Sequence, residues 1–153
     1  MPRKTTLAAT DRDELIARLR RVTPASRPRW GTMTAHQMIC HLADSFRVTL
    51  GERESSSAAT PFRRIVAKRM VLHTDLPLPR GVRATPELSQ DAQGTSPSEF
   101  AADLGALVRL IERSVQPNAP RPNPHPGFGE ITRAEWARFN WRHTDHHLKQ
   151  FGA

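Results

Sequence analysis

The chain has no tyrosine, a single cysteine, and few acidic residues, 15 Asp and Glu against 23 Lys and Arg. A lone Cys40 cannot form an internal disulfide, so the fold must rest on packing or on a metal, and a reducing cytoplasm suits it. No segment approaches the ~18 consecutive apolar residues that a membrane span requires. The basic start Met1-Pro2-Arg3-Lys4 is not followed by the apolar stretch of a signal peptide. Spans and conventional secretion are excluded, and no membrane partner is expected.

The shortage of acid gives a formal charge of +8, but the excess is uneven. Residues 1–30 hold eight Lys and Arg and three Asp and Glu. No dense basic run alternates with aromatics, as single-strand nucleic-acid binders require for stacking. Solvated arginines are therefore favoured over a nucleic-acid surface. With 153 residues and 37% hydrophobic content, the chain can bury one modest core, so 1–153 is read as a single domain and 1–10 as a flexible basic tail.

Four segments carry amphipathic helix patterns, each opened by a Ser/Thr/Asp-x-x-Glu/Gln capping signal. The first starts at Asp11 with Glu14 reaching back, carries Leu15, Ile16, Leu19 and Val22, and ends before Pro24. The second is capped by Thr34 with Gln37, and runs through Met38, His41, Leu42, Ser45 and Phe46 to Gly51. Ser96 caps the third, with Pro97 at its first position, Glu99 closing the box and a stripe from Phe100 to Val115. Thr132 and Glu135 open the fourth, which presents Trp136, Phe139, Asn140, His143, His147 and Gln150 on one side. A shorter helical piece fits Phe62–Leu72. Residues 77–97 and the five prolines of 117–126 read as long connections. The expectation is an all-α four-helix bundle with long crossover loops and one extra short helix.

The chemistry concentrates in the histidines. His143 and His147 are four apart on the inner face of the last helix, the spacing at which two imidazoles reach one metal ion. His41 on the second helix can supply a third ligand; taken alone, it reads as a histidine satisfied by Asp44 or by a backbone carbonyl, and Asp44, three residues on, can equally serve as the acceptor that orients it on a metal. Three neutral imidazoles leave a fourth position open, the arrangement of catalytic rather than structural zinc sites, and Zn²⁺, Ni²⁺ and Fe²⁺ all accept such ligands. Thr144 follows His143, so the glutamate of the zinc-protease signature is missing. Cys40 reads as a small buried hydrophobe.

The string His143-x-x-His146-His147-x-x-Gln150, with His41 on an earlier helix, resembles the DinB/YfiT-like superfamily of metal-dependent four-helix bundles. An uncharacterised subfamily is more similar still, through Trp30-Gly31-Thr32-Met33-Thr34-Ala35-His36-Gln37-Met38, Cys40-His41-x-x-Asp44, His125-Pro126-x-Phe128-Gly129 and Asp145-His146-His147-Leu148-Lys149-Gln150-Phe151-Gly152. The likeness spans residues 30–152. It implies metal ligands His41, His143 and His147, a divalent metal such as Zn or Ni, and His146 turned aside. Asp44, Gln37, Trp136, Asn140, His146, Gln150 and His125 fall in the second rank, as supports or pocket walls. Lys149 stands where the superfamily usually has glycine. Relatives include enzymes that use a low-molecular-weight thiol as cosubstrate, so the resemblance implies an enzyme activating such a thiol, or water, toward a small-molecule electrophile, with a homodimer as the expected assembly. Two other readings are a non-catalytic metal-binding or stress-related module, and nucleic-acid binding through the basic N-terminus.

Overall fold

The computed structural model describes residues 3–57 and 59–153. Among these residues there are five α-helices and no strand: α1 (Ala9–Leu19), α2 (Ala35–Thr49), α3 (Pro61–His73), α4 (Phe100–Ser114) and α5 (Arg133–Gln150), with a 3₁₀ turn at Pro86–Leu88. Among the described residues no helix is long and apolar enough to cross a membrane.

Two helix starts follow local sequence closely. Thr34 and Thr132 each accept a hydrogen bond from the backbone N–H three residues on, while Gln37 and Glu135 reach back to the cap N–H. Each reciprocal pair satisfies two donors that the helix itself cannot.

The other two starts shift because other contacts compete, a local one at α1 and a tertiary one at α4. α1 begins at Ala9, two residues ahead of the expected Asp11 cap, and has no side-chain cap. The Asp11 carboxylate instead accepts from Thr5 N–H at 3.0 Å. Residues 3–8, expected to be part of a flexible tail, are docked: Thr6 is fully buried and its N–H donates to the Ala137 carbonyl at 3.2 Å. α4 begins at Phe100 rather than after Ser96, and the Glu99 carboxylate accepts from Ala101 and Ala102 N–H. Thr95 is the reason. Both its N–H and its hydroxyl are bound to Asp44 at 2.7 Å, which holds the approach to α4 extended.

The main core joins Leu15, Ile16 and Leu19 of α1, Met38, Ile39, Leu42 and Phe46 of α2, Leu107 and Ile111 of α4, and Leu148. Val22 lies past the end of α1 but stays buried in the same cluster. α3 is longer than expected and packs by Val71 and Leu72 against Phe128. Its C-terminal carbonyls are gripped from α5. Buried Arg142 donates to the carbonyls of Met70, Val71, Thr74 and Leu76, and Arg138 to Thr74 and the Asp75 carboxylate. Two cations at the negative end of a helix answer its unpaired carbonyls and its dipole.

Asp44, with no exposed side-chain area, ties α2 to the loop before α4. It accepts from Arg47 at 2.8 Å and Gln90 at 3.0 Å as well as from Thr95. Arg53 meets the Glu87 carbonyl at 2.6 Å in the same loop. Replacing Asp44 strands several partly buried donors around a fully buried position at once. Asp44→Ala is expected to lower unfolding free energy by about 3–5 kcal/mol in urea titrations, and a loss below ~1 kcal/mol would refute this role.

Candidate functional site

The inner faces of α2 and α5 bring His41, His143 and His147 together. Nε2 of His143 lies 3.1 Å from Nε2 of His41 and 3.1 Å from Nε2 of His147. One ligand atom from each ring falls within 4.8 Å of the others. Four-coordinate zinc with Zn–N of ~2.0–2.1 Å has ligand edges of about 3.3 Å, so the two edges that meet at His143 need only a few tenths of an ångström of adjustment.

Two of the three protonation patterns are fixed by hydrogen bonds. His41 Nδ1 faces the Leu88 carbonyl at 2.8 Å, an acceptor only, so Nδ1 carries the proton. His147 Nδ1 faces Gln150 Oε1 at 2.7 Å, and the Gln150 amide is oriented by donating through Nε2 to the Trp30 carbonyl at 2.9 Å. In the neutral rings both Nε2 atoms are then lone pairs aimed at His143. A single N–H on His143 Nε2 cannot point at both. Extra protons are not held there either, because burial lowers the pKa of all three rings, that of His147 to about 3. A cation accepts all three lone pairs, and three neutral imidazoles are a donor set that suits a borderline divalent metal.

His41 and His147 are buried, and His143 is partly exposed. Phe139 stacks on the His143 ring with centroids 5.0 Å apart, and the Ser45 hydroxyl lies 3.5 Å from His143 Nδ1. A cavity of about 520 Å³ is lined by Thr32, Met33, Gln37, Arg83 and Leu88 among others; it shares Leu88 with the support of His41, but none of the three histidines lies in its wall. That volume falls within the range of small-molecule sites.

The remaining residues singled out in the sequence divide. Gln150 orients His147, as described above. His146 turns aside, with its ring edge-on to Trp30 at 5.5 Å. Gln37 closes the α2 capping box and binds Asp91 at 2.9 Å. Trp136 is core, packed with Val48 and Leu88, and Asn140 pairs with the Thr49 hydroxyl. His125 fixes its own loop: Nδ1 accepts from the N–H of Gly127 and Phe128, and the ring stacks on Phe128 at 3.9 Å. It reaches the site only through the edge of Phe139, at 4.3 Å.

Asp44 does not orient His41, because its oxygens are taken up by Arg47, Gln90 and Thr95. The Leu88 carbonyl performs that function. A backbone acceptor 47 residues away leaves no side-chain signal in the sequence. His36 points elsewhere and pairs with Asp103 at 2.7 Å. Cys40 lies 3.8 Å from the same carboxylate, and burial together with the charge of Asp103 pushes its thiol up to about 12. It is a poor nucleophile.

Fold and site together define an all-α protein with a buried three-histidine cluster able to hold a metal ion. The chain belongs to the family described as Protein of unknown function (DUF1569), whose model matches residues 1–153. No curated protein and no solved structure matches it.

Two outcomes test this geometry. Gln150→Leu removes the acceptor of His147 Nδ1–H and is expected to weaken zinc affinity about 10–100-fold in chelator competition, whereas unchanged affinity would remove Gln150 from the site. His125 and His147 are both held near 3, below the 6.5 of a free ring, so the unfolded chain binds protons more readily. Metal-free protein is therefore expected to keep its full stability above pH ~6.5 and to lose it as pH falls from there toward ~3. Urea midpoints that stay flat between pH ~7 and ~4 would contradict the burial of neutral rings.

Proposed function

We propose that the chain is a metal-dependent enzyme on a four-helix bundle of the DinB/YfiT-like kind, acting on a small-molecule electrophile with a low-molecular-weight thiol, or water, as the attacking group. The carrying observation is the meeting of three imidazole Nε2 atoms whose outer Nδ1 atoms, on His41 and His147, are already committed to Leu88 and Gln150. A zinc or nickel ion held there supplies Lewis acidity that lowers the pKa of a thiol or water at its open position.

The chain's own residues divide the work. His41, His143 and His147 bind, and Leu88 and Gln150 orient two of the rings. Phe139 shields one face of His143. Cys40 stays protonated beside Asp103, so the protein brings no thiolate of its own and the nucleophile comes from outside. That supports a thiol cosubstrate.

Half of the eight basic side chains in residues 1–30 are engaged within the chain, which counts against a nucleic-acid surface there. Arg3, Lys4, Arg12 and Arg18 spend their charged groups on the His73 carbonyl, Glu14, the Thr6 carbonyl and Asp145.

The test is the metal content of protein purified without an affinity tag. Near one equivalent of zinc or nickel is expected, lost in His41→Ala, His143→Ala and His147→Ala while helicity is retained. Turnover of an electrophile with one member of a thiol panel then completes the assignment. Metal-free protein even after supplementation would overturn it, and metal binding with no turnover would reduce the chain to a metal-binding module.

A further inference from the structure

Apart from Leu7, every large exposed hydrophobic side chain among the described residues lies between Phe62 and Val82. Four of them form one stripe on α3. Phe62, Ile65, Val66 and Met70 recur at helical spacing with the exposed Arg69 among them, and the buried Val71 lies on the opposite side. Phe62 is 75% exposed and Ile65 67%. The stripe cannot roll inward, because Arg138 and Arg142 hold the last carbonyls of α3 and Lys68 pairs with Glu135 at 2.9 Å.

The same segment is strongly cationic. Residues 61–83 contain six Lys and Arg and one acidic residue, Asp75. α3 itself has no acid at all. Arg63 and Arg69 are exposed beside the apolar side chains and form no ion pair among the described residues.

Charge and area together decide what covers this face. A second copy meeting it across a two-fold axis would bring the cations of one acid-free helix against those of another, with no carboxylate to answer them. A 13-residue helix is about 20 Å long, and a strip about 10 Å wide on it offers on the order of 200 Å², well short of the ~800 Å² per partner of a stable protein interface. A lipid surface needs neither a matching groove nor that area. Apolar side chains enter the boundary of the acyl chains while arginines extend to the headgroup phosphates.

We propose that the outward face of α3 docks the protein on an anionic lipid bilayer, with Phe62, Ile65, Val66 and Met70 entering the interface and Arg63 and Arg69 meeting phosphates. This is attachment to a surface, compatible with the absence of a spanning helix. It is independent of the metal chemistry.

The test is co-sedimentation of the full chain with large vesicles of phosphatidylcholine alone or with about 30% phosphatidylglycerol. Binding to the anionic vesicles and little to the neutral ones is expected. Because a pI near 11.3 attracts any anionic surface, the decisive variant keeps charge constant. Phe62→Ser/Ile65→Ser should weaken binding at least about tenfold with helicity unchanged, since both side chains already lie in water. Arg20→Gln/Arg21→Gln removes two exposed charges elsewhere and should weaken it less than about threefold. Three results would overturn the proposal: no sedimentation, binding that survives the Phe62/Ile65 change, or light scattering that shows a dimer abolished by that same change.

Discussion

Three imidazole nitrogens facing one another in a buried space form the constraint around which the rest of the structure is arranged. His143 Nε2 stands 3.1 Å from both partners, and burial denies the rings the extra protons that would relieve their opposed lone pairs. Such an arrangement is costly unless a cation completes it, and it persists only where the surrounding structure over-determines it. α2 supplies one ring and α5 two, so the packing of these helices sets the cluster directly. Leu88 and Gln150 then fix which nitrogen of His41 and of His147 faces inward.

Asp44 shows how a buried charge serves the site without touching it. Its carboxylate gathers Arg47, Gln90 and both polar groups of Thr95, and thereby holds the loop that carries the Leu88 carbonyl over α2. His41 depends on Asp44 through that backbone. The same grip delays the start of α4, so one residue shapes both the support of the cluster and a helix boundary.

The apolar faces of the helices are not used alike. Those of α1, α2 and α4 meet in one core, whereas α3 contributes Val71, Leu72 and the partly buried Ala67 to a small cluster and is held at its C-terminal end by two buried arginines. Hydrogen bonds to carbonyls anchor a helix without consuming its outer surface. That leaves Phe62, Ile65, Val66 and Met70 facing water, beside cations that answer to no acid.

Local physics was readable in the sequence. Thr34 with Gln37, and Thr132 with Glu135, set their helix starts because each capping box is complete within four residues. The four-residue spacing of His143 and His147 places both on one face of α5 for the same reason, and the periodicity of α2 turns His41 inward and His36 away. Where another partner competed, local signals misled: Asp11 turned to nearby Thr5, Ser96 lost its helix to the hold of distant Asp44 on Thr95, and residues 3–8 docked on α5. The tertiary structure alone decided that a carbonyl at Leu88 orients His41, that Asp44 acts on the loop rather than on the ring, and that α3 turns its apolar stripe outward. Each of these depends on which distant backbone arrives beside a side chain, and periodicity along one helix carries no information about that.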